Sequence, residues 1–162
     1  MASKKTQGFW VIQLTFLVAL YLQALPMPTF FLYMRPEWIG LVLIYWSLNM
    51  PQRVGVAHGF VWGLLLDLIE GTLLGHNAIA MSLLGFLCNN FYQRIRMYSL
   101  IKQSALVFLL IGISQLVFQW LQSVFGSISS IGFLLLPALI SAILWNWVYV
   151  LLQSLKRRFA IN

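Results

Sequence analysis

The sequence predicts an all-α polytopic membrane protein with six transmembrane helices, and three observations carry that prediction. First, 61% of the residues are hydrophobic and only 8% charged, with a mean hydropathy of +0.88. Soluble domains carry about a quarter charged residues, so an ordinary soluble fold is excluded. Second, the apolar residues gather into runs comparable to the ~20 residues a helix needs to cross a hydrocarbon core roughly 30 Å thick. Third, the basic residues fall in alternate gaps between those runs. Lys4, Lys5, Arg53, Arg94, Arg96, Lys102, Lys156, Arg157 and Arg158 take one side of the alternation, and Arg35 alone takes the other. By the positive-inside rule the crowded side is cytoplasmic, and these residues are its anchors. The acids Glu37, Asp67 and Glu70 lie at or near the outer side. The net charge of +7 is therefore a topology signal, and no nucleic-acid partner is expected.

The spans follow in order. Residues 8–25 come after Lys4 and Lys5, but Leu25-Pro26-Met27-Pro28 offers no small-x-small cleavage site, so a retained signal anchor is expected. Residues 37–50 form a second, short span at about 1.5 Å per residue. Were it re-entrant, the parity of every later loop would change, against the crowding of cations on one side. Between these spans, prolines bracket residues 29–34, where Phe30, Phe31 and Tyr33 suit a segment along the outer surface. Residues 54–70 and 74–92 make the third and fourth spans, and 103–125 and 132–155 the fifth and sixth. The Ser- and Gly-rich gap 126–131 suits an outer loop, whereas 93–102 carries three cations and suits a cytoplasmic one. Both termini are thus predicted inside, and residues 1–162 form a single integral membrane domain. Cys88 stands alone, which leaves no disulfide framework or Cys-based metal site within one chain.

Gly55, Gly59, Gly63, Asp67 and Gly71 recur every fourth residue, forming a ridge on the third span. Small residues permit close helix approach, and packing within the chain is preferred here to packing against a partner. Asp67 lies about 20 Å along this helix from Val54. An acid at such depth costs of order 3 kcal/mol on insertion scales, so it should face a partner group or a wet cavity. Arg35 is the candidate cation, with Glu37 and Glu70 as competing acids in the same outer cluster. His76 reads as a helix-end residue rather than a ligand. Lys156-Arg157-Arg158 suits anionic lipid, at about 1 kcal/mol per cation, and Trp145 and Trp147 read as helix packing.

Enzyme classes fail on inventory. An aspartyl protease needs two Asp residues and the chain has only Asp67; His58 and His76 lack zinc-protease spacing; Ser82 and His76 do not share a helix face. Metal-dependent lipid-linked transferases need several acids. Neither catalysis, a cofactor nor a metal is expected. A carrier is harder to dismiss, because Arg35, Asp67, Glu70, Asn77, Asn89 and Asn90 can be imagined lining a polar cavity. Carriers usually place charges deep in several spans, however, whereas spans one, five and six offer only amides such as Gln13, Gln23, Gln115, Gln119 and Asn146. The stripe Gln115, Gln119 and Gln122 is better explained by interhelical hydrogen bonding.

The motifs Arg35-Pro36-x-Trp38, Tyr45-Trp46 and Pro51-x-Arg53-Val54-Gly55 precede a longer one, Gly59-x3-Gly63-Leu64-Leu65-x-Asp67-Leu68-x2-Gly71-x2-Leu74-Gly75. In order and spacing they resemble the bacterial rod shape-determining family MreD, of proteobacterial type. The family's Gly-rich Asp helix maps onto Gly59, Gly63, Asp67, Gly71 and Gly75, and Glu70 stands where a small or polar residue is expected. The resemblance implies an inner-membrane component of the elongation machinery that lays down lateral-wall peptidoglycan. Its implied partners are MreC directly, then MreB, RodA and a class B penicillin-binding transpeptidase, in contact with membrane lipid. It also implies a fold like the six-helix substrate-binding component of energy-coupling-factor transporters. The expected function is a non-enzymatic scaffold whose groove accepts the transmembrane helix of MreC and whose acidic outer cluster orients that partner's juxtamembrane segment. The alternative is a carrier or a solute- or lipid-binding subunit with a polar cavity around Asp67.

Overall fold

In the computed structural model the described residues are 2–26, 28, 34–125 and 135–159, with side chains of the first helix described from residue 8 onward. Six α-helices account for them: α1 Ala2–Ala24, α2 Trp38–Asn49, α3 Val56–Glu70, α4 His76–Arg96, α5 Leu100–Val124 and α6 Leu136–Arg158. By length and apolar composition α5 and α6 can each cross a membrane, while Gly8–Ala24 and α2 are shorter apolar helices. The segment expected along the outer surface, apart from Met34, lies outside the described residues, as do the loop 126–131 and the predicted start of the sixth span. The predicted cytoplasmic gap 93–102 shrinks to residues 97–99, because α4 continues to Arg96 and α5 starts at Leu100.

Prolines set the length of α2. A residue that precedes proline is driven out of the helical region; Arg35-Pro36 thus limits its start, and Met50-Pro51 its end, where Met50 takes φ −139°. The result is 12 residues, about 18 Å long. Its residues from Ile39 to Leu48 are all buried, as expected of a helix apolar on every side, and it touches each of the other five helices. This helix is the axis of the bundle. Its amino end is capped from two directions: the Trp38 amide donates to Gln23 Oε1 of α1 at 2.9 Å, and the Glu37 amide to Ser141 Oγ of α6 at 2.9 Å. These bonds satisfy donors that a helix start leaves orphaned.

Polar side chains also lock α2 along its length. Trp46 Nε1 donates to Thr15 Oγ1 at 2.9 Å, Tyr45 donates to Gln153 Oε1 at 2.8 Å, and Lys156 Nζ donates to Asn49 Oδ1 at 3.4 Å. Arg96 at the end of α4 acts electrostatically on Lys156 at the end of α6. The carboxyl ends of α2, α4 and α6 therefore share one end of the bundle. Cations in the last turns of α4 and α6 also complement the helix dipoles. The two tryptophans of α6 divide: Trp145 is fully buried, but Trp147 is 78% exposed, which corrects the expectation that both pack between helices. Two residues along a helix is a rotation of roughly 200°, so neighbours at that spacing cannot share a face.

Candidate functional site

The α3–α4 hairpin brings two backbones together along the glycine ridge. A Cβ built on Gly59 would strike the Met81 carbonyl oxygen, and one on Gly63 would come within 2.6 Å of Ala78 Cα. From the other side, a Cβ on Gly85 would lie 2.8 Å from the Gly55 carbonyl. Gly55 itself faces the Asn89 amide group. Gly85 completes the contact, and its sequence signal is the small-residue spacing Ala78, Ser82, Gly85 on α4. Gly71 and Gly75 are different, with no atom within 4 Å of a built Cβ. Their φ values of 66° and 106° place them in the left-handed region that an L side chain resists. The ridge thus serves close helix approach at its first three glycines and the turn at its end.

Asp67 is fully buried between these two groups of glycines. Its carboxylate accepts four hydrogen bonds: Thr72 Oγ1 at 2.7 Å, the Gly75 amide at 2.9 Å, the Asn77 amide at 2.9 Å and the Ala78 amide at 3.3 Å. Three of these donors belong to the first turn of α4, where intrahelical acceptors are missing and the dipole favours an anion. Gly75 at the cap position has no side chain to do this work, so Asp67 reaches across from α3. Its backbone carbonyl also accepts the Thr72 amide at 3.1 Å, closing α3. The partner groups that satisfy this acid are three backbone amides and a hydroxyl rather than Arg35, the candidate read from the sequence. Arg35 instead lies 3.9 Å from Glu70 Oε1, with both side chains partly exposed.

Arg35, Glu37 and Glu70 do come together, at the opposite end of α2 from Lys156. They line a cavity of about 480 Å³ with Gln23, Phe118 and Gln122. A recess of about 60 Å³ shares Gln23, Glu37, Glu70 and Phe118 and adds Asn77 and Gln115. Asp67 lines neither. Asn77 Nδ2 donates to Glu70 Oε2 at 3.2 Å, and Gln115 Nε2 donates to Glu37 Oε1 at 3.4 Å. Gln23 and Gln115, from α1 and α5, are cavity residues that sequence reasoning did not group with the charges. Asn89, which it did, instead donates to the Pro51 carbonyl at 3.3 Å at the other end of the bundle, and Asn90 is exposed. His76 is buried against Phe118 and Phe125, with ring centroids 6.1 and 5.3 Å away.

Of the basic residues, Arg94, Arg96, Lys102, Arg157 and Arg158 are exposed and Arg53 partly so; the side chains of Lys4 and Lys5 lie outside the described set. A separate apolar groove of about 310 Å³ runs between α1, α2 and α6, walled by Leu14, Val18, Leu151 and Leu155 over a floor that includes Thr15 and Ala19.

The family model for rod shape-determining protein MreD matches residues 4–155. The chain belongs to the MreD family. A curated rod shape-determining protein MreD from Haemophilus influenzae is 32% identical over 147 residues, which cover 91% of each chain. No solved structure matches. Membership gives the chain a role in determining rod shape, and with α5 and α6 it identifies a membrane protein.

Proposed function

We propose that the chain is a non-enzymatic, six-span scaffold of the bacterial inner membrane, with both termini in the cytoplasm. Its six helices would be arranged as in the substrate-binding component of energy-coupling-factor transporters. It binds MreC and helps position the wall synthases for lateral peptidoglycan synthesis, with MreB, RodA and a class B penicillin-binding transpeptidase in the wider complex. The observation that carries this reading is the α1–α2–α6 groove. Helices associate in lipid through close packing against small residues rather than through hydrophobicity. This groove has apolar walls of exposed Leu14, Val18 and Leu151 over small Thr15 and Ala19, four residues apart on α1. The comparable groove between α4 and α5, lined by Leu87, Phe91, Leu106 and Leu109, has no small residue in its lining. The transmembrane helix of MreC therefore packs into the first groove.

Filling that groove from exposed positions tests the assignment. Val18→Trp combined with Leu151→Trp is expected to abolish capture of MreC by the tagged, detergent-purified chain, whereas Ile113→Trp in the α4–α5 groove leaves capture unchanged. Undiminished capture by the double variant at matched expression would overturn it.

A further inference from the structure

We propose that the charged cavity binds a zwitterionic headgroup in which a primary ammonium stands beside a phosphate, the chemistry of phosphoethanolamine. The donor and acceptor inventory points there. Glu37 Oε2 and Gln115 Oε1 are buried acceptors, and Arg35 Nε a buried donor, each without a hydrogen-bond partner. Gln115 is only 9% exposed. Its amide orientation is set by Glu37: with Nε2 donating to Glu37 Oε1, Oε1 is left as the open acceptor. Buried groups left in this state are costly, and a ligand that completes them binds with that cost recovered.

Charge narrows the class. Two carboxylates and one guanidinium line the cavity, so a cationic group is drawn to the Glu37 side. A primary ammonium seated where the cavity meets its recess offers three N–H donors to Glu37 and Glu70, which line both, and to Gln115, which lines the recess; Phe118 lines both as well. Arg35 contacts Glu70 only at 3.9 Å, and its guanidinium is suited to grip an oxyanion. A quaternary choline group carries no N–H and cannot complete the acceptors. A partner's lysine side chain supplies the ammonium but no oxyanion for Arg35. The volume of about 480 Å³ falls within the 300–1,000 Å³ typical of small-molecule sites.

Thermal unfolding of the detergent-purified full chain, titrated with short-chain phosphatidylethanolamine, short-chain phosphatidylcholine and soluble phosphoethanolamine, tests this. The ethanolamine lipid is expected to give a saturable stabilisation at a concentration about tenfold lower than the choline lipid. Glu37→Gln, or Gln115→Leu should the first variant fold poorly, is expected to erase that preference, so that the two lipids stabilise the variant at the same concentration. Soluble phosphoethanolamine matching the lipid would support the same chemistry and assign a water-soluble source. Equal responses of the wild type to both lipids would overturn the proposal, as would an undiminished preference in a folded variant. Stabilisation by free lysine or a Lys-containing peptide without any by the ethanolamine compounds would overturn it in favour of a partner side chain.

Discussion

Replacing Asp67 separates its role as a cap from any role as an ion-pair partner. In Asp67→Asn, one amide orientation keeps the oxygen where Oδ2 now accepts the Gly75 and Ala78 amides, at 2.9 and 3.3 Å. The new NH₂ then faces Thr72, whose hydroxyl can turn to accept, and the Asn77 amide, which loses its acceptor. One buried donor is orphaned and the favourable charge at the start of α4 disappears. At about 1.5–3 kcal/mol for a hydrogen bond to a charged group, plus a dipole contribution of 0.3–1 kcal/mol, Asp67→Asn should cost about 2–4 kcal/mol. Asp67→Ala orphans all three backbone donors and should cost appreciably more, about 4–6 kcal/mol. Glu70→Gln, which alters an ion pair between partly exposed groups, should change stability by less than about 1 kcal/mol. Equilibrium unfolding in mixed micelles, followed by tryptophan fluorescence, reads all three. Asp67→Asn within about 0.5 kcal/mol of wild type, or no worse than Glu70→Gln, would refute the capping argument.

The glycines predict a graded series. Gly63→Ala places a methyl group 2.6 Å from Ala78 Cα and should destabilise by about 1–3 kcal/mol, whereas Gly112→Ala, whose nearest neighbour is the flexible end of Leu135 at 3.8 Å, should be neutral. Thermal melts of the two variants decide it, and equal midpoints would remove the close-contact reading. Gly71→Ala and Gly75→Ala meet open space, so their cost is the left-handed backbone alone, about 1–2 kcal/mol each. Gly71→Asn should recover part of that cost, since Asn tolerates the conformation better; equal losses for Ala and Asn in the same melts would count against it.

Helices were legible where hydrophobic runs and prolines punctuate the chain. The short α2 follows from Pro36 and Pro51, and its burial from the absence of any polar face. The acceptor role of Asp67 was not legible, because its partners are backbone amides that have no letter in the sequence; reasoning from side chains alone turned to Arg35. The ridge at four-residue spacing was visible, but spacing cannot distinguish Gly63, which touches a backbone, from Gly71, which turns the chain. Cavity residues were the hardest. Gln23, Glu37 and Gln115 come from three helices, and only the crossing of α1, α2 and α5 brings them together, whereas Asn89, on the same helix as Asn77, sits at the far end. The motifs between Arg35 and Gly75 pointed to the family, but the residues that wall the apolar groove lie on α1 and α6, outside that run.

Capture of MreC is the most direct test of the scaffold reading. The tagged chain is co-purified in detergent with its cognate MreC and, in parallel, with an MreC whose transmembrane helix has been replaced by an unrelated apolar helix. Stable capture of the first and loss of the second is the predicted result; equal capture of both, or of neither from folded protein at matched expression, would contradict it.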